Sequence, residues 1–193
     1  MQQHYQQAIS QYRQRIFSFA HYSLRAREDA EDITQEVFIK LWQNWQKVDH
    51  NKLNAWLMRV AHNAVIDHVR KHKNANEQVD DYAEPEDQAR EEDTGSDIDD
   101  RAFKQQLMDA IRGLDDPFRS ILVMRDIQGM SYADIQETLG ISDSQVKVYL
   151  HRGRRKLREN QKLRSLFEAM TDQPTEDSKA AVVSINQATR VKE

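Results

Sequence analysis

One segment in the second half of the chain limits the possible folds more than any other, and it reads SYADIQETLGISDSQVKVYLHRGRRKL. Ser131 with Asp134, and Ser142 with Gln145, have the spacing of capping boxes, in which two side chains three residues apart close the amino end of a helix. Gly140 lies between the two boxes, where a tight turn favours glycine. The segment therefore predicts two short helices joined by a turn, which is a helix-turn-helix.

The second of these helices ends in a dense row of arginine and lysine, as expected for a helix that lies in the major groove of DNA and contacts the flanking phosphates. Glutamine can bond to adenine, arginine can bond to guanine, and a valine methyl group can contact thymine. The alternative is a surface helix whose cations are only solvated, and the two capping boxes with the glycine turn weigh against it. The predicted DNA-binding residues are Gln145, Lys147, Val148, Tyr149, His151, Arg152, Arg154, Arg155 and Lys156.

The composition favours a soluble and mostly helical protein. Of the 193 residues, 31% are charged and 38% are hydrophobic, and there are only five glycines and three prolines. The absence of cysteine excludes disulfides and thiolate metal sites. No apolar run approaches the roughly 18 residues of a membrane span, and the polar start of the chain has no signal-peptide core. We therefore expect a cytoplasmic protein.

Charge is distributed unevenly along the chain. Residues 74–100 contain twelve acidic residues and a single arginine, although the whole chain has a net charge of only −4. A segment of like charge with few apolar residues buries too little surface to fold, so it predicts a flexible linker. Apolar residues at helical spacing predict helical units over residues 1–73 and 101–172, followed by a flexible tail over 173–193. The expected fold is all-α: an N-terminal helical bundle and a C-terminal helix-turn-helix domain, which the linker allows to lie one or more DNA turns apart.

Three segments carry a resemblance to a known family: DAEDITQEVFIKLWQNW (29–45), LNAWLMRVAHNAVIDHVRKHK (53–73) and DDPFRSILVMRDIQGMSYADIQETLGISDSQVKVYLHRGRRKL (115–157). They occur in the order found in bacterial sigma factors of the extracytoplasmic-function family, which this chain resembles. The resemblance implies a protein that is not an enzyme and needs no cofactor. It would bind RNA polymerase core and direct promoter-specific initiation by recognising the −35 duplex and melting the −10 element. Residues 1–73 would be sigma region 2 and residues 101–172 sigma region 4.

By this resemblance the first segment docks on the clamp coiled coil of the polymerase β′ subunit. Asp29, Asp32 and Glu36 have spacings of three and four, which place an acidic strip on one helix face. Phe38 and Trp42 add an apolar anchor of the kind found in interface hot spots. The alternative is a solvated acidic face above core aromatics. The predicted polymerase-binding residues are Asp29, Asp32, Gln35, Glu36, Phe38, Leu41 and Trp42.

The second segment matches the part of the family that opens the −10 element. Promoter opening extrudes a base from the stack, which costs a few kcal/mol, and stacking and polar contacts of the protein recover roughly 1–3 kcal/mol per base. The preceding loop, VDHNKL, lacks the aromatic and the glycine that many members have, so it does not define the captured base. Trp56 is equally compatible with a place in the core. The predicted −10 residues are Asn51, Lys52, Trp56, Arg59, Asn63, Asp67, Arg70 and Lys71.

The resemblance assigns the −35 duplex to the second helix of the helix-turn-helix. At positions 145, 148 and 149 this chain has Gln, Val and Tyr, where the family commonly has Thr, Ser and Arg, so we expect an unusual −35 preference. The expected partners are RNA polymerase core, at its β′ clamp coiled coil and β flap, and promoter DNA. Many members are held by an anti-sigma factor, which is a further possible partner. No direct insertion into a membrane is expected.

Two other classes of protein fit part of the sequence. A response-regulator-type activator would explain the helix-turn-helix but not the acidic and aromatic segment at 29–45. A metal-dependent enzyme would use His68 and His72, which have the spacing of metal ligands on a helix, but no clear third ligand accompanies them in the sequence. No glycine-rich phosphate loop and no nucleophile–base constellation is visible. We therefore expect neither a metal site nor catalytic residues.

Overall fold

The computed structural model describes residues 2–76, 98–161 and 163–165. Every regular element within these ranges is helical, which confirms the predicted all-α fold with two helical units. Most of the predicted acidic linker and all of the predicted tail, 173–193, lie outside the described residues. No helix in the described part of the chain is long and apolar enough to cross a membrane.

The first unit consists of α1 (Gln2–Ser23), α2 (Arg27–Asn44) and α3 (Leu53–Asn76), with a short 3-10 turn at His50–Lys52 before α3. Burying a large apolar side chain contributes about 1.5–3 kcal/mol, so packing of the inner faces stabilises these helices more than helix propensity does. The inner faces follow the predicted apolar stripes of the sequence. Fully buried side chains on them are Ile16, Phe19, Val37, Leu41, Leu57, Met58 and Val65.

Within the described residues the second unit contains four bounded α-helices, of which the last two form the predicted helix-turn-helix. They are α4 (Ile98–Arg112), α5 (Phe118–Leu122), which continues into a wide π-type turn, α6 (Tyr132–Leu139) and α7 (Asp143–Arg158). The α3 helix continues three residues beyond the predicted domain end at residue 73, and α4 begins three residues before residue 101.

Both predicted capping boxes are present. Ser131 Oγ accepts a hydrogen bond from the Asp134 amide at 3.1 Å, and Ser142 Oγ accepts one from the Gln145 amide at 3.3 Å. Gly140 ends α6 with a φ of +67°, a left-handed conformation that costs a residue with a Cβ atom about 1–2 kcal/mol. These local signals therefore set the ends of α6 and the start of α7 as the sequence predicts.

A close approach between α5 and α7 depends on Gly153. A Cβ atom at this position would lie 3.0 Å from Leu122 Cδ1, which is closer than side-chain carbons pack. Gly153 is buried in the middle of α7, where glycine costs a helix about 1 kcal/mol relative to alanine. The contact with α5 explains this otherwise unfavourable residue.

The two units pack against each other instead of lying apart, and their buried side chains form one continuous core. Helix α3 lies against α6, and α1 lies against α4. The Gln128 side chain donates a hydrogen bond to the Arg15 carbonyl oxygen at 2.7 Å, and Arg112 Nη2 donates one to the His21 carbonyl oxygen at 3.1 Å. We call this packed state the closed arrangement.

Candidate functional site

The outer face of α2 presents an unusual apolar pair to solvent. The side chains of Ile39 and Trp42 are 55% and 45% exposed, whereas Phe38 and Leu41 are buried. The predicted polymerase-binding set is therefore divided: Trp42 lies on the surface, and Phe38 and Leu41 belong to the core. Ile39 was not predicted, although its spacing of three from Trp42 already places it on the same face.

The Trp42 ring is fixed in place by α1. Tyr5 contacts it edge-on, with ring centroids 4.9 Å apart, and the Tyr5 hydroxyl donates a hydrogen bond to the Phe38 carbonyl oxygen at 2.9 Å. Burial raises the pKa of Tyr5 above its ordinary value, which already keeps the hydroxyl protonated and able to donate at neutral pH. An ordered aromatic ring at the surface loses little side-chain entropy when a partner binds.

Acidic and amide side chains lie on α2 on the amino-terminal side of the apolar pair. Asp32, Gln35 and Glu36 are exposed, and Asp29 is half-buried. Glu36 Oε1 lies 2.6 Å from Lys40 Nζ, an exposed pair that a partner's cation can displace because such pairs are worth about 0–1 kcal/mol. The acidic part of the predicted set, Asp29, Asp32 and Glu36, thus lines a groove between α2 and α3, whereas Trp42 lies further along α2.

The predicted −10 residues lie on and just before α3. Asn63, Asp67, Arg70 and Lys71 are exposed along this helix, and Trp56 is half-buried. Asp67 and Arg70 pair with each other at 2.9 Å. Their spacings of three and four give α3 one continuous polar face.

Two residues of the predicted −10 set contact the second unit. Arg59 Nε donates a hydrogen bond to the Thr138 carbonyl oxygen at 2.9 Å, and Arg59 Nη2 donates one to the Glu137 carbonyl oxygen. Lys52 Nζ lies 2.7 Å from Glu137 Oε1, and this carboxylate raises the pKa of Lys52. In the closed arrangement these two cations are therefore occupied by α6.

A histidine lies at the centre of the contact between the units. His62 Nδ1 is 3.0 Å from Ser120 Oγ, and Ser120 in turn donates to the Asp116 carboxylate. Burial lowers the pKa of His62, the nearby Asp116 opposes this shift, and Arg119 adds to it. The neutral imidazole is therefore the form that the closed arrangement favours.

The outer face of α7 carries most of the predicted −35 set. Several of its members are engaged within the unit: the Tyr149 ring packs edge-on against Phe118 at 5.9 Å, and Arg154 forms two hydrogen bonds with the Asp126 carboxylate, at 3.0 and 2.6 Å. The Gln145 side-chain oxygen accepts from the Ser142 amide at 2.8 Å. The exposed members are Gln145, Lys147, Val148, His151, Arg152, Arg155 and Lys156.

These features define a class: a two-unit helical protein with a basic helix-turn-helix and a separate acidic and apolar face. Residues 8–75 match the family model of Sigma-70 region 2, and residues 104–157 match that of Sigma-70, region 4. The chain is 31% identical over 153 residues to the ECF RNA polymerase sigma factor SigE of Mycolicibacterium smegmatis, covering 78% of this chain and 59% of that protein. It is 32% identical over 160 residues to the ECF RNA polymerase sigma factor SigW of Bacillus subtilis, covering 76% of this chain and 83% of that protein.

Solved structures agree with this fold. The sigma factor RpoE, in complex with the anti-sigma factor NepR from Bartonella quintana, superposes with a TM-score of 0.65 at 21% identity, covering 80% of this chain and 94% of that one. CnrH, in complex with the cytosolic domain of CnrY, superposes with a TM-score of 0.62 at 20% identity, covering 91% of this chain and 92% of that one. At these identities the likeness concerns the fold alone.

The chain belongs to the ECF family of RNA polymerase sigma factors. Proteins of this family bind RNA polymerase core and promoter DNA and direct promoter-specific transcription, and they are transcription regulators rather than catalytic enzymes. A response-regulator-type activator does not account for the match to Sigma-70 region 2 over α1–α3.

Proposed function

We propose that this sigma factor docks on polymerase core through the outer face of α2, opens the −10 element with α3 and reads the −35 duplex with α7. The observation that carries the proposal is the presence of two exposed surfaces of different chemistry on different units. One combines Trp42 and Ile39 with acidic side chains, and the other is a row of cations on α7. The first suits a basic protein partner, and the second suits a phosphate backbone.

The α2 face has the composition of a protein-binding hot spot rather than of a DNA-binding surface. An exposed tryptophan beside other exposed apolar side chains is typical of an interface anchor, and the acidic residues that precede it on α2 would repel phosphates. The proposed partner at this face is the clamp coiled coil of the β′ subunit, paired through its arginines. The second unit would contact the β flap, and the polymerase would supply all of the chemistry. These roles place the protein in the cytoplasm.

Promoter opening requires the two units to separate. Arg59 and Lys52 contact α6 in the closed arrangement, so neither side chain is available to the −10 element until α6 moves away. Closure is supported by hydrogen bonds and ion pairs of modest strength and by apolar packing between the units, and binding to polymerase would have to exceed both. The proposed domain division, with a linker at 74–100, supplies the length of chain that this separation needs.

A partner that holds the units together would keep the protein inactive. The sigma factor RpoE of similar fold is bound to an anti-sigma factor, and we propose a partner of the same kind for this chain. Such a partner would bind the closed arrangement better than the open one, because a ligand shifts an equilibrium only through different affinities for the two states.

The proposal is tested by run-off transcription with the full chain and bacterial polymerase core that lacks its own sigma factor. The wild type should form a complex and produce discrete transcripts from genomic promoters. The double variant Asp32→Arg/Glu36→Arg should lose core binding while keeping its helical circular dichroism. Glu159→Arg reverses an exposed charge at the end of α7 and is the matched control for folding and core binding. Core binding equal to wild type in the double variant would contradict the assignment of α2.

A further inference from the structure

A groove between α2 and α3 brings together three side chains with the chemistry of metal ligands. His68 and His72 are one helical turn apart on α3, and Asp29 approaches from the first turn of α2. One ligand atom from each of the three lies within 4.8 Å of the others. The sequence alone shows the two histidines without a third ligand. The packing of α2 on α3 brings Asp29 to them as that third ligand.

The distances suit a shared ion. His68 Nε2 and Asp29 Oδ2 are 3.1 Å apart, while two ligand atoms bound to one tetrahedral zinc ion lie about 3.3 Å from each other, given bonds of about 2.0–2.1 Å. The His68 and His72 rings are 4.2 Å apart between centroids. His72 is exposed, so its ring can rotate to bring its nitrogen into the coordination sphere.

We propose that Asp29, His68 and His72 bind a divalent transition-metal ion, of the group Zn²⁺, Ni²⁺ and Co²⁺. Two imidazoles and one carboxylate are the ligand set that these ions take in proteins, with a water molecule completing the coordination. The other charged residues lining the groove are Asp32, Glu36, Asp67 and Lys71. Acids outnumber bases there, so the groove attracts a cation.

Metal binding would oppose docking on polymerase, an inference that rests on the proposed function. The ion would occupy the carboxylate of Asp29, which belongs to the predicted polymerase-binding set, and would add two positive charges to the acidic face. It would also tie α2 to α3. A basic partner such as the polymerase clamp would then bind less tightly, because charge complementarity across the contact is reduced.

Binding is tested with Co²⁺ as the probe, on the full chain without any affinity tag and after removal of metals. The wild type should bind one Co²⁺ ion, with visible absorption bands of four-coordinate cobalt that Zn²⁺ abolishes by displacement. His72→Gln and Asp29→Asn should each weaken binding by about tenfold or more. His4→Gln removes an exposed histidine of α1 and should bind as the wild type does. Circular dichroism confirms that each variant is folded.

The site is overturned if the wild type binds no Co²⁺, since Asp29 and His68 then form a surface ion pair only. It is equally overturned if folded His72→Gln binds as the wild type does. The regulatory step is tested by the affinity for polymerase core with and without Zn²⁺: the ion should weaken binding of the wild type and leave His72→Gln unchanged. An equal effect on both proteins overturns regulation through this site. Failure to bind core even without metal contradicts the proposed function and leaves the Co²⁺ result intact.

Discussion

Arg59 on α3 caps the carboxyl end of α6 by donating a hydrogen bond from Nε to the Thr138 carbonyl oxygen at 2.9 Å. The contact joins residues 79 positions apart in the chain. The last carbonyl groups of a helix have no partner within it and carry partial negative charge, so a guanidinium at this point is favourable. A residue predicted to contact promoter DNA thus stabilises the closed arrangement.

Replacement of Arg59 by alanine should open the closed arrangement. The two hydrogen bonds to α6 are charge-assisted, one part-buried and one exposed, so their loss should cost closure about 1–2 kcal/mol. Because the chain contains no cysteine, spin labels can be placed selectively at Gln43→Cys on α2 and Ala133→Cys on α6. Electron–electron distance measurements should show a longer and broader distribution for Arg59→Ala than for Asn63→Ala, an exposed position on the same helix. Identical distributions for the two variants would show that Arg59 does not hold the units together.

The closed arrangement should weaken in mild acid. Burial lowers the pKa of His62 below that of an exposed histidine, which is about 6.5. The stabilisation from the neutral imidazole is therefore complete above about pH 6.5 and is lost as the pH falls through the lowered pKa. The same spin labels should report separation of the units between neutral pH and about pH 5 in the wild type.

His62→Gln is the control for this pH dependence, since glutamine can still bond to Ser120 but does not titrate. Its distance distribution should stay constant over the same range of pH. If His62→Gln opens in acid as the wild type does, another group is responsible.

Arg152 and Arg154 should contribute differently to DNA recognition and to the stability of the fold. Arg152 is exposed on α7, and its replacement by alanine should weaken binding of the −35 duplex by about 1–3 kcal/mol and relax the preference at one base pair. Arg154 is held by Asp126, so Arg154→Ala should lower the free energy of unfolding by about 1 kcal/mol and weaken DNA binding equally on all sequences. Fluorescence anisotropy on a set of single-base variants, with urea unfolding, separates these effects. Equal loss on every duplex for Arg152→Ala would make it a phosphate contact.

Gly140 should be required because its left-handed backbone conformation disfavours a Cβ atom, and not because a side chain would clash with a neighbour. No atom lies within 4 Å of a Cβ atom built there, but its φ is +67°, so Gly140→Ala should lower the free energy of unfolding by about 1–2 kcal/mol. Gly113→Ala is the matched control, because its added Cβ atom meets only ordinary contacts, the nearest at 3.4 Å, and its φ is not positive. Urea unfolding of the two variants gives the difference directly. Equal destabilisation would contradict the conformational explanation.

The sequence predicts the structure best where the signal is local. The capping boxes at Ser131 and Ser142 and the turn at Gly140 depend on neighbours within four residues, so their spacing was enough to place α6 and α7. The sequence predicts the exposure of residues on α2 less well. Phe38 and Trp42 have the spacing of one helix face, yet packing against α1 buries the first and leaves the second exposed. Helical periodicity defines which residues share a face but not how far that face is covered.

The sequence by itself determined that this chain forms two all-helical units, that one of them is a helix-turn-helix and that a basic and an acidic surface exist. These properties follow from periodicity, caps and charge, which act over a few residues. Only the tertiary structure decided that the units pack together, that Arg59 faces Thr138 and that Asp29 completes a ligand set with His68 and His72. Each of these contacts joins residues distant in the chain, and their pairing depends on the packing of all the apolar faces at once, which no single segment encodes.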